Sequence, residues 1–400
     1  MKIVFVWVIF SLITIGPGVV LPDSSGGFAP VSDDTSAKTE SAWADKIDSD
    51  WGGHAKIRGG GSWPSADSLY GLAGGGTYLD GSAEGRLKSE LYFGEFSKFE
   101  THYEIIWSGG ETRENIRELE RMFPALTGEF FIRNRIPNDD RRLFDLTSVI
   151  SDKDDYVLYH RIDRLVLTLK PDWGVVRIGR QAATWGNGML FNPMDLFNPF
   201  SPTDIERDYK FGDDMVSVQM PSFDSGSLQV LYVPRRNPET SDVSSNYSSL
   251  AAKYHFFAGM TELDLMAARH YSDCVLGAGM VGYIGDAAWR VDLTWTRLDS
   301  ESPSDDFFSL VANIDYSWIW LEKNFYGFME FFYSGIGEKD YEKALGNPDI
   351  IERIDRGELF TLAKTYLAGS VRVELHPLFN FILNFINNLQ DPSGVIQPRA

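Results

Sequence analysis

From residue 286 to the C-terminus, apolar and polar side chains alternate in segments about ten residues long, a spacing that fits one membrane-crossing strand. The plainest are Trp289, Val291, Leu293, Trp295; Phe308, Leu310, Ala312, Ile314, Tyr316; and Phe379, Phe381, Leu383, Phe385. Between them stand Arg290, Asp292, Thr294, then Ser309, Asn313, Asp315, then Asn380 and Asn384. Side chains alternate across an extended strand, so each segment has one oily face and one wet face. Aromatic residues close both ends of the oily face, as at the two interfaces of a membrane barrel. A large β-sandwich or propeller has the same alternation and is the soluble alternative.

No internal run is apolar enough for a membrane-crossing helix, and a barrel needs none, because half of its strand residues face water. Met1-Lys2 and the apolar run Ile3 to Ile15 have the charged start and short oily core of an export leader. Residues 1–22 are therefore read as a signal peptide, 23–50 as a flexible periplasmic lead-in and 51–400 as the barrel. Cys274 is the sole cysteine, so no intrachain disulfide forms. The formal net charge of -20 excludes a nucleic-acid partner. The acidic clusters lie between strands, at 139–140, 152–155, 213–214, 299–306 and 338–342, and suit loops facing lipopolysaccharide.

Strands are expected at 53–60, 84–94, 97–107, 157–170, 174–184, 213–222, 226–235, 247–257, 260–270, 273–283, 286–297, 307–318, 324–334, 364–375 and 378–389. Their links alternate short and long, with one weak exception at 270–273. Short periplasmic turns and long outer loops are the rule for bacterial barrels, so the N-terminus is assigned to the periplasm. Such barrels have an even number of strands. With about fifteen counted and 391–400 read as a loop, one or more closing strands are expected to be missing. Within the long link 108–156, Ile116, Leu119, Met122 and Phe123 recur at helical spacing, which marks either a plug or a surface-packed loop helix.

The densest local pattern is Arg177-Ile178-Gly179-Arg180-Gln181 followed by Trp185-Gly186-Asn187 and two Phe-Asn-Pro repeats at 191–193 and 197–199. Asn and Pro favour local turns, so the segment 185–202 is expected to be stiff and to tuck into the barrel, with Arg180 or Arg177 anchoring Asp195. This run resembles the porin-like outer-membrane barrels of Gram-negative bacteria and is similar in kind to the alginate-export type. The resemblance is specific over 157–205 and architectural elsewhere. It implies a channel or an export or uptake pore, with no established substrate. The motif is equally read as a fold-locking corner without a transport role.

If the oily faces meet lipid, the inward set contains Lys56, Arg58, Arg86, Lys88, Glu90, Glu100, His102, Glu104, Arg177, Lys253, Asp264, Arg290, Asp292, Asp315, Arg372 and Glu374. Arg86 and Lys88 face Glu100 and Glu104; Arg290 and Asp292 face Asp315. These groups form either cross-strand pairs that hold the wall or a transverse field that orients solutes. The candidate pore-lining and constriction residues are Arg177, Arg180, Gln181, Trp185, Asn187, Asn192, Asp195, Arg86, Lys88, Arg290, Asp292 and Arg372.

No Gly-x-Ser-x-Gly elbow, His-Glu-x-x-His or phosphate-binding loop is present, so no enzyme activity is expected. Asp152 to Asp155 resembles half a calcium loop but lacks its glycine and closing glutamate. No cofactor is implied. The expected fold is an all-β antiparallel transmembrane barrel of about sixteen or more strands. The expected function is passage of polar solutes through the outer membrane, with outer-membrane lipids, lipopolysaccharide and a small polar solute as partners. The rivals are a polysaccharide-export, secretion or scaffold barrel and a β-rich surface adhesin.

Overall fold

Alternation and glycine-bearing turns build one sheet. The computed structural model of the chain describes residues 4–15, 47–63, 76–122, 138–202, 209–222, 225–377, 379–391 and 393–400. The strands are β1 (Val4–Ile15), β2 (Ile47–Ser62), β3 (Tyr78–Phe93), β4 (Ser97–Gly110), β5 (Thr147–Asp152), β6 (Tyr156–Leu169) and β7 (Val175–Gln181). They continue as β8 (Asp213–Pro221), β9 (Ser227–Val233), β10 (Ser249–Ala258), β11 (Thr261–His270), β12 (Asp273–Ile284) and β13 (Ala287–Arg297). The last are β14 (Phe307–Trp320), β15 (Lys323–Ser334), β16 (Thr365–His376), β17 (Phe379–Asn388) and β18 (Gly394–Arg399). Among the described residues three helices lie in the long links: α1 (Glu111–Met122), α2 (Tyr341–Leu345) and α3 (Pro348–Asp355).

All fifteen expected strands are present, with ends moved by a few residues. Among the described residues there are eighteen strands; all but β1 and β5 pair each with the next, antiparallel throughout and in up-and-down order, and β18 reaches β2 only through β1. β5 lies on the outer-loop half of one edge of β6, facing Val157–Arg161, while β7 takes Leu165–Leu169 on the same edge. Residues 391–400, read as a loop, instead contain β18, which pairs with Ile382–Asn387 of β17. Gly394 and Pro398 mask the alternation of so short a strand. β2 begins at Ile47, inside the stretch read as lead-in. Most of that stretch, residues 23–46, lies outside the described residues. Val4–Ile15, within the leader-like segment, runs antiparallel to β2 and parallel to β18.

The two faces are opposite to those of a water-soluble sheet. Leu87, Ile105, Leu167, Ile178, Val216, Leu265, Leu276, Leu293, Ile314, Met329 and Leu383 are exposed on the convex side. Arg86, Glu104, Arg161, Asp264, Asp292, Asn313, Glu330 and Asn384 are buried on the other. Arg or Lys on a lipid-facing side costs about 2–4 kcal/mol at the bilayer midplane, which accounts for this sorting. Aromatic rings cover glycines on neighbouring strands: a Cβ on Gly282 would meet the Trp289 ring, one on Gly369 the Phe385 ring, and one on Gly81 the Trp107 ring. Such ring-over-glycine pairs fix register while letting the sheet curl.

α1 sits at the long-loop end of β3 and β4. Asp80 accepts the Thr112 backbone N–H at 3.0 Å, and Glu111 accepts that of Leu79 at 2.7 Å. Its Arg113 and Arg117 bind Asp152, and Arg121 binds Asp154, so helix guanidiniums engage two carboxylates of the calcium-loop-like stretch.

Candidate functional site

The link between β7 and β8 turns into the barrel and crosses it. Gly179 opens the movement: its φ is +119° and a Cβ there would stand 2.1 Å from the Leu165 carbonyl oxygen, so glycine is required. After it, Arg180 and Gln181 are both buried although they are consecutive. Gln181 faces inward and accepts from the Ser217 hydroxyl at 3.2 Å. Arg180 shares the outward face of Ile178 and Val216 and binds Asp214 at 2.9 Å and Asp139 at 3.1 Å, roofed by the segment 139–146. Arg180 therefore does not line the lumen and does not anchor Asp195. That carboxylate binds Lys210 at 2.6 Å instead.

Beyond Thr184 the link is held on three walls. Trp185, Met194 and Phe197 pack against Met215, Leu231, Val233, Ala251, Met266 and Val275, the inward apolar patch of β8 to β12. The Trp185 indole donates to Gln229 at 2.6 Å. Next, the Asn187 backbone N–H and side-chain amide donate to Asp292 of β13 at 2.5 and 2.8 Å. Glu330 of β15 accepts three successive backbone N–H groups, from Met189 at 2.6 Å, Leu190 at 3.0 Å and Phe191 at 2.7 Å. The Phe191 ring lies flat on Phe332, with centroids 4.4 Å apart. Asn192 and Pro193 turn the chain, and the Asp195 N–H closes the turn on the Asn192 carbonyl at 3.1 Å.

The returning end meets β3, β4 and β6. A bulge at Asp163 places Asp163 and Arg164 both inside, beside Arg86. Arg86 pairs with Glu104 at 2.9 Å and with Asp163, and its guanidinium covers the Tyr209 ring at 4.0 Å. Lys88 donates to the Tyr209 hydroxyl at 2.8 Å. Arg161 pairs with Glu104 and covers the Phe211 ring at 4.0 Å.

A second link, 335–363, packs at the long-loop end of the sheet. Ile336, Ala344, Ile350 and Leu359 form its small core. Arg353 binds Asp273, Arg141 binds Asp355, and His270 meets Glu358 at 2.9 Å. His270 also meets the Ser249 hydroxyl at 3.0 Å, a serine–imidazole–carboxylate chain. Ser249 is only 1% exposed and Arg235 donates to its oxygen at 2.8 Å, so the hydroxyl is not presented to a substrate. The chain acts as a latch between wall and link.

Burial pushes the Asp195 carboxyl up to about 6 against the pull of Lys210. Glu358 is held down at about 2 by His270 and Arg356, which outweigh its burial. Asp139 is likewise held at about 2 by Arg142 and Arg180, despite its own burial.

The remaining candidates are spread along the wall. Arg290 binds Asp315 across β13 and β14, while Asp292, expected to share that pair, belongs to Asn187. Arg177 is exposed on the lumen side near the short-turn end of β7. Arg372 lines a cavity of about 330 Å³ at the same end of the barrel, with Tyr326, Asn324, Glu374 and Asn380. Where the end of the β7–β8 link meets β2, β3, β4 and β6 is a further cavity of about 210 Å³, lined by Arg58, Ser82, Glu84, Glu104, Ser108, Tyr159, Arg161, Tyr209 and Phe211. Glu330, Lys210 and Tyr209 were missed in the sequence. The signal for Glu330 is a single acid inside the aromatic run Phe325 to Tyr333.

No protein-family model matches the chain, and no curated protein does. Among solved structures it is similar to OmpT of Vibrio cholerae, an outer membrane protein described in its trimer form, at 11% identity and TM-score 0.43, covering 88% of this chain and 94% of that one. It is similar to Salmonella typhi OmpF in complex with daunomycin at 9% identity and TM-score 0.44, covering 86% and 91%. An anion-selective porin from Comamonas acidovorans matches at 12% identity and TM-score 0.43, covering 87% and 95%. Resemblances this distant assign no function.

Proposed function

We propose that the chain is an outer-membrane channel for small polar solutes, exported by its N-terminal leader. The observation that carries this reading is the inversion of the sheet, with apolar side chains exposed outside and paired charges buried inside, around a peptide link stitched across the lumen. A bilayer stabilises that exterior; water does not. A barrel wall of sixteen successive strands, with β1 between β18 and β2, is wide enough for an aqueous path unless filled.

The link 182–212 narrows that path, and solute passes on the β2 to β6 side, along Arg58, Glu84, Glu104, Arg161 and Tyr209. Arg86, Arg161 and Arg290 are engaged by carboxylates, so the wall charges act first as cross-strand pairs, and selectivity comes mainly from width. Swelling of liposomes containing the refolded protein tests this. Uptake of a monosaccharide faster than of a trisaccharide is expected; no swelling with any sugar, from protein shown to be inserted and folded, refutes the channel.

A further inference from the structure

The exterior carries an exception to its apolar belt. At the outer rim, one cross-strand row reads Leu250, Arg269, Cys274, Arg297 along β10 to β13. Arg269, Cys274 and Arg297 are exposed, and their strand neighbours His270, Asp273 and Thr296 are buried on the opposite, inward face. Among the described residues neither guanidinium has a carboxylate partner, whereas the lumenal Arg86, Arg161 and Arg290 each have one. The row directly below is Ala267, Leu276, Trp295, Phe308, wholly apolar.

Two unpaired guanidiniums thus flank a small residue on an oily ledge. One strand lies between theirs, so their backbones are roughly 10 Å apart, and both forks can close on one anion. Guanidinium matches phosphate oxygens in a bidentate way, and the low dielectric beside the hydrocarbon strengthens the contact. An anion held here has apolar surface continuing beneath it toward the bilayer centre. We propose that Arg269 and Arg297 form a site for the phosphorylated headgroup of an outer-leaflet lipid, whose acyl chains lie on Leu276 and Trp295. A lipid fits better than free phosphate because the site is continuous with the acyl-contacting face.

The assignment rests on the membrane-barrel reading. The full chain is refolded in detergent with equal amounts of diphosphorylated lipid A and phosphatidylcholine, then examined by native mass spectrometry. Wild type is expected to retain lipid A, and R269Q/R297Q to retain at least about tenfold less, from the loss of charge-assisted hydrogen bonds. Equal retention by both overturns the site, as does displacement of the lipid by millimolar inorganic phosphate, which would mark a general anion site. A fluorophore on native Cys274, quenched by headgroup-labelled lipid A but not by headgroup-labelled phosphatidylcholine, gives the same test without substitution; equal quenching by both counts against it. Conductance of the same batches reports on the channel separately, so lost retention specificity with intact conductance overturns this assignment alone.

Discussion

Glu330 of β15 accepts the backbone N–H of Phe191 at 2.7 Å, joining the link between β7 and β8 to the wall opposite its root. The same carboxylate takes the amides of Met189 and Leu190 and is 0% exposed. Glu330→Ala leaves three amides without their acceptor, at about 1–3 kcal/mol for the buried one of Phe191. The link is expected to detach from β15, and single-channel recording should show larger and noisier openings than wild type. Unchanged conductance would mean that the link is held by its apolar contacts alone.

The Lys210–Asp195 pair holds the returning half of the same link. Lys210→Met leaves Asp195 buried and unpaired, a change that costs about 3–5 kcal/mol where one partner of a buried pair is removed. Asp195→Asn combined with Lys210→Met is expected to recover most of that loss. Urea unfolding in detergent, read as a double-mutant cycle, measures the difference.

Gly179 is a backbone requirement. Gly179→Ala forces a Cβ against the Leu165 carbonyl at a positive φ, with an expected cost of at least about 1–3 kcal/mol. The thermal unfolding midpoint in detergent is expected to fall below that of the wild type. The same change at Gly52, where a Cβ meets nothing within 4 Å, should leave it unmoved.

Acid should free the outer link. Within that link Glu358 is held at about 2, below its ordinary value of 4.5. A depressed carboxyl stabilises the fold above its unfolded pKa and loses that contribution as pH falls through the folded value. Residues 335–363 are therefore expected to stay protected from hydrogen exchange at pH 7 and to lose protection progressively from about pH 4.5 toward about pH 2. Glu358→Gln should show the weakened protection already at neutral pH.

The wall was readable because its period is two: wherever a strand is ten or more residues long, as in β10 to β17, alternation alone located it. β5 and β18 escaped because six residues carry too little alternation, and β18 also contains Pro398. The inward course of 185–202 was readable from its Phe-Asn-Pro repeats, whereas its anchors were not. Glu330, Lys210 and Tyr209 act across long sequence separations, and a carboxylate's choice between an arginine and a lysine depends on the fold. Arg180 was misassigned because strand parity, not its neighbourhood to Trp185, decides which way it points.

Single-channel recording in planar bilayers, with Tyr209→Ala beside the wild type, tests the central claim most directly. Tyr209 lines the cavity beside β2, β3, β4 and β6, the proposed solute path. Stepwise ohmic openings from wild type, and larger ones from the variant, are the predicted result. Inserted, folded protein that conducts no ions in either form would contradict the account.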